Sequence, residues 1–136
     1  VSSRLAIELP PSAESGFLIL SDDLAGNPFA APTLNRIREI GLTPGDLSAL
    51  QRAGRILQPA PGVVLRGDAL TIAVRQLQDL PQPFTASDAR QRWQTTRRVA
   101  IPLLSLMDRL RITKRFADDS RVLLTKNHGD RPERDA

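Results

Sequence analysis

The chain has 136 residues, 19 basic and 15 acidic, for a formal charge of +4 at neutral pH. Its 40% hydrophobic and 25% charged content lies near the averages of folded chains and excludes wholesale disorder and collagen-like or mucin-like architectures. The lack of cysteine removes disulfides, thiolate metal sites and cysteine nucleophiles, and makes the cytoplasm the expected compartment.

Pro11 and Ser12 open a first predicted helix, with Phe17, Leu20 and Leu24 at helical spacing, and Gly26-Asn27-Pro28 ends it. Thr33 caps a second helix whose stripe is Leu34, Ile37 and optionally Ile40, with Gly41 as its left-handed exit. Pro44, at the first helical position after Thr43, opens a third that buries Leu47 and Leu50 and stops at Gly54. Ile56-Leu57 and Val63-Val64-Leu65 then read as a hairpin joined by Pro59-Ala60-Pro61-Gly62.

The same order begins again. Asp68 to Leu80 is a predicted helix through Leu70, Val74 and Leu77, closed by Pro81 and Pro83. Thr85 and Asp88 form a variant capping box for the next, with Ala86, Ala89 and Trp93 on one face, so Trp93 is expected in the core rather than on a ligand. A third helix runs to about Leu110, with Val99, Leu103, either Leu106 or Met107, and Leu110 on its stripe. Ile112 to Phe116 and Val122 to Thr125 are the strands of a second hairpin, around Ala117-Asp118-Asp119-Ser120. Three helices and a hairpin, written twice, predict a mainly α fold with β wings: two tandem winged-helix (helix-turn-helix) domains. The expected boundaries are 1–67 for the first domain with its N-terminal linker, 68–126 for the second, basic domain, and 127–136 for a disordered tail.

The charge is local. Residues 1–89 carry seven arginines against nine carboxylates, net −2, whereas 90–126 carry ten basic residues against Asp108, Asp118 and Asp119, net +7. Thr95-Thr96-Arg97-Arg98 stands at the entrance of the third helix, and Pro102, which lacks an N–H and crowds the carbonyl four residues earlier, places the regular helix start near Arg98. Such a start sets the positive helix end beside two arginines and two hydroxyls, a combination suited to phosphate. Lys114 and Arg115 on the first wing strand and Arg121 on the second flank the same groove in this fold. A solvated basic face is the competing reading of these residues, and the convergence of helix entrance and wing favours a polyanion. The matching helix of the first unit offers only Arg52 against Asp46, which reads as a spacer or docking module. Five aromatic residues, none of them tyrosine, weigh against an RNA-recognition motif.

Several chemistries lack their residues. There is no Gly-rich phosphate loop, and the sole histidine, His128, lies in the tail, so neither a nucleotide site nor a histidine-based triad or metal site is expected. Asp118-Asp119 reads as a pair of turn formers rather than a metal site. No apolar run reaches the ~20 residues of a membrane helix, and Val1-Ser2-Ser3-Arg4 lacks the order of a signal peptide. The opening valine suggests a fragment of a longer protein.

Pro83-Phe84-Thr85, the run Thr96-Arg97-Arg98-Val99-Ala100-Ile101-Pro102-Leu103-Leu104, Met107-Asp108, Thr113-Lys114-Arg115 and Asp119-Ser120-Arg121 together resemble the C-terminal end of the bacterial selenocysteine-specific elongation factor, SelB. Pro28-Phe29-Ala30-Ala31-Pro32 and Arg52-Ala53-Gly54-Arg55 resemble the preceding winged-helix domain, so the likeness spans roughly residues 28–125. It implies a non-enzymatic fragment, the last two of four tandem winged helices, that holds the messenger-RNA hairpin (SECIS element) directing selenocysteine insertion at UGA. It further implies that Thr96, Arg97, Arg98, Arg115 and Arg121 grip that hairpin, with Lys114 added by the charge map. GTP, magnesium and selenocysteyl-tRNA would be bound by domains outside this fragment, the ribosome would be reached through the full-length protein, and the fragment would be a monomer without a membrane partner. Ala117 or Asp118 stands where the family often has glycine, and Ser105 where it has glutamate. The alternatives are a winged-helix DNA-binding transcription regulator using the same helix in a major groove, and a structural adaptor contacting ribosomal proteins.

Overall fold

Residues 9–124 are described by the computed structural model, in which the chain is mostly helical with two small antiparallel hairpins, a winged-helix-like arrangement. The N-terminal linker up to residue 8, Thr125, His128 and the tail 127–136 lie outside the described residues. The order is α1 (Pro11–Asp23), α2 (Leu34–Ile40), α3 (Pro44–Arg52), β1 (Ile56–Ala60), β2 (Val63–Arg66), α4 (Ala69–Leu77), α5 (Ala86–Trp93), α6 (Arg97–Arg109), β3 (Thr113–Arg115) and β4 (Arg121–Leu123). The chain divides into two compact units, 1–72 and 73–136.

In the first unit, Ala13, Leu20 and Leu24 meet Ile37, Leu42, Leu50, Ile56 and Val64 in one apolar core, with Phe17 packed at its edge. Gly16 permits the close approach of α1, because a Cβ there would collide with the side chain of Leu42. Thr33 caps α2 by accepting from the Arg36 amide at 3.1 Å, and Gly41 takes the left-handed exit at φ 93°. Leu34 departs from the expected stripe and is 56% exposed, since it occupies the first position of a seven-residue helix too short to bury two turns on one side. Thr43 and Asp46 form a reciprocal capping box on α3, and Ser12 of α1 donates to the same carboxylate at 3.1 Å. Asp46 is therefore buried and committed to structure, not set against Arg52 on the surface. In the first hairpin the strand continues through Pro59 because the register shifts between Leu57 and Ala60, and an irregular strand tolerates proline. The turn thus contracts to Pro61-Gly62, with Gly62 at φ 82°.

In the second unit α4 ends at Leu77, three residues before the expected Leu80. Its buried face is Ala69, Ala73 and Leu77, with Leu70 and Val74 only half-buried. Trp93 is buried and donates from Nε1 to the Ala73 carbonyl at 3.3 Å, as expected of a core residue. Thr85 and Asp88 make the predicted capping box of α5, and Gln94 closes that helix at φ 54°. Val99, Ala100, Leu103, Leu104 and Met107 form the buried face of α6, so Met107 rather than Leu106 completes the stripe. Leu110, placed on that stripe by periodicity, is 52% exposed because it is the C-cap, where the chain leaves the helix. Thr113 pairs with Leu123 and Arg115 with Arg121 across the second hairpin. Phe116 falls outside β3, its amide bonding to the Ser120 carbonyl at 2.8 Å to close the turn.

Candidate nucleic-acid interface

Helix α6 begins at Arg97, one residue before the expected start, with Val99 and Ala100 donating to the Thr96 carbonyl at 3.1 and 2.9 Å. Thr96 is the N-cap residue, although its hydroxyl makes no capping bond, unlike those of Thr33, Thr43 and Thr85. Pro102 lies within the helix and cannot donate to the Arg98 carbonyl. Side chains four apart share a helix face, and Arg97, Ile101 and Ser105 accordingly form one wall of a groove of about 450 Å³. Thr85 and Ser87 at the entrance of α5 form a second wall, and Arg115, Asp118, Asp119 and Arg121 of the wing form the third.

Of the residues singled out in the sequence, Arg97, Arg115 and Arg121 are therefore brought into one concavity. Thr96, Arg98 and Lys114 are exposed and lie outside its lining. The Lys114 ammonium sits 5.6 Å from the centroid of the Phe116 ring.

The three groove arginines differ in their bonding. Arg115 donates from Nε to Asp119 at 3.0 Å, in an ion pair exposed to solvent on both sides. Arg121 is held more firmly. Its side chain is only 6% exposed and reaches Asp108 through Nε at 3.1 and 3.2 Å and Nη2 at 3.0 Å, while the Thr113 hydroxyl donates to the same carboxylate at 2.6 Å. Burial pushes the Asp108 carboxyl up, but the bonds from Arg121 and Thr113 and the charges of Arg121 and Arg115 outweigh it and hold the group below the ordinary carboxylate range. Asp118 accepts from the Ser120 hydroxyl at 2.6 Å and the Ser120 amide at 3.0 Å, which lowers its carboxyl likewise. Asp119 follows in the left-handed region, at φ 71°. The acidic pair forms the turn as expected and also lines the groove, a second role its sequence reading lacked.

Ile101 and Ser105 follow Arg97 at helical spacing and are traceable from it in the sequence, whereas the pairing of Asp108 with Arg121 left no such mark. Among the described residues no group of three or more His, Cys, Asp or Glu side chains is placed to hold a metal ion. No helix among them is long and apolar enough to cross a membrane.

Short helices, a basic-entrance helix and a hairpin folded beside it define this unit as winged-helix-like. Residues 75–123 match the sequence model of a family described as elongation factor SelB, winged helix, and the chain resembles the winged-helix domains of SelB. The crystal structure of a bacterial selenocysteine-specific elongation factor, EF-Sec, aligns with 85% of this chain at 21% identity and a TM-score of 0.68. This chain covers 20% of that one. The mRNA-binding domain of elongation factor SelB from E. coli, solved in complex with SECIS RNA, aligns with 79% of this chain and 96% of its own length, at 20% identity and a TM-score of 0.58. These likenesses establish the fold. A search of curated proteins gave no significant match.

Proposed function

We propose that this chain is the mRNA-binding part of a selenocysteine-specific elongation factor, built from two tandem winged helices, and that the second of them, residues 68–126, holds the SECIS hairpin. The observation that carries this reading is the groove shared by Arg97 at the entrance of α6 and Arg115 at the wing. Guanidinium groups grip phosphates bidentately and would set the register of a folded RNA backbone. Arg98 and Lys114 are exposed outside the groove lining and would extend the basic surface beyond it. The hairpin is recognised mainly by shape and phosphates, the usual mode for double-stranded RNA. The ribosome and selenocysteyl-tRNA are reached through further domains of a longer protein, where GTP and magnesium also bind.

The test is a titration of a labelled SECIS hairpin from a cognate message against an equal-length DNA duplex. With Arg97, Arg98, Lys114 and Arg115 engaged, the hairpin should be preferred and the log–log salt slope should be about −3. Equal affinity for the two nucleic acids would refute the RNA assignment, and a chain with Arg97 and Arg98 changed to alanine that still binds at full strength would refute the site.

A further inference from the structure

We propose that Asp108 is the positioning residue of this interface, and that Arg121 acts as its partner in holding the wing rather than as a phosphate contact; the inference rests on the function proposed above. Asp108 continues the row Arg97, Ile101, Ser105 along α6, so the helix that supplies one wall of the groove also carries the group that fixes the others. Its carboxylate bonds Thr113 on β3 and Arg121 on β4 together, and thereby ties both wing strands to the helix. Arg121 extends the tie. Its backbone amide and carbonyl both pair with Phe84 at 2.8 Å, immediately before Thr85 and the α5 entrance that forms the remaining wall. Phe84 and Thr113 are buried, so these anchors have little room to shift.

The bidentate bond to Asp108 neutralises Arg121 within the chain, and stripping it away for a phosphate would leave a partly buried carboxylate unpaired. Arg121 is thus poorly suited to carry phosphate charge and well suited to fix geometry. Arg115 is its register partner across the hairpin, so holding Arg121 also holds the strand that carries Arg115.

The experiment compares hairpin and duplex-DNA affinities for the full chain and three variants, with circular dichroism to confirm folding. Asp108→Asn removes the charge at constant size and should weaken hairpin binding about tenfold while leaving weak duplex binding within about threefold, so that their ratio collapses. Arg121→Lys keeps the cation but loses the planar fork, and should lose most of the same preference. The exchanged pair Asp108→Arg with Arg121→Asp should recover it, since it restores the tie while placing an anion where a phosphate contact would need a cation. Hairpin affinity unchanged or raised in Asp108→Asn, or full binding by Arg121→Lys, overturns the inference, and the latter decides the matter if the Asp108 variants do not fold. A wild-type chain without hairpin preference would instead overturn the functional proposal, and this inference with it.

Discussion

Changing Asp119 to asparagine should strengthen hairpin binding, because Asp119 competes with the RNA for the guanidinium of Arg115. An exposed ion pair is worth about 0.5 kcal/mol, and that much is recovered when the competitor is removed. A carboxylate roughly 6 Å from a phosphate in water adds a repulsion of about 0.7 kcal/mol before screening. The two effects together approach 1 kcal/mol, or about fivefold in affinity. The fold should survive, since asparagine tolerates the left-handed backbone found at φ 71° as readily as aspartate does. Fluorescence anisotropy with a labelled hairpin at about 0.1 M salt reads the change, and the gain should fade as salt rises and the Debye length shortens. Affinity unchanged or reduced at low salt would show that Arg115 does not meet the RNA backbone.

Trp93→Ala should cost about 3–5 kcal/mol, measured by denaturant unfolding, because it empties a fully buried site and removes the indole bond to the Ala73 carbonyl. Gly67→Ala should lower the midpoint of thermal unfolding clearly, since its Cβ would run into the Gly54 carbonyl, a backbone atom that a rotamer change cannot move. Thr43→Ala should cost about 1 kcal/mol by removing one half of the α3 capping box. In acid, the Asp108 carboxyl is lowered in the fold, so its stabilisation is complete above the unfolded-state value of 3.8 and is lost as pH falls through the lower folded value. The stability advantage of the wild-type chain over Asp108→Asn should therefore hold at neutral pH and shrink as pH drops below about 4.

Local rules carried much of the fold. Thr33 with Gly41, Thr85 with Asp88, and the glycine and proline punctuation marked helix ends because capping and turn chemistry operate within a few residues. What escaped was rotation and depth. On α4 the buried face runs through Ala69 and Ala73, small residues that a search for large apolar side chains passes over. Leu34 and Leu110 match the helical period yet sit at helix ends, where period no longer dictates which side faces the core. The candidate groove was legible in its cations and not in their partners. Arg97, Arg115 and Arg121 could be brought together by fold logic, but the ion pair between Arg121 and Asp108 joins residues 13 apart through a tertiary contact that no spacing rule encodes.

The strand edge beside Phe84 has a consequence for aggregation. The Arg121 amide and carbonyl are taken up by Phe84, and the Leu123 amide donates to the Gln82 side-chain oxygen at 2.9 Å. A foreign β-segment seeking to lengthen this hairpin by edge addition would find those docking groups along β4 already occupied. Such covering is a recognised protection against intermolecular sheet growth, and it leaves the wing able to present a charged tip without inviting other chains to pair with that side of it.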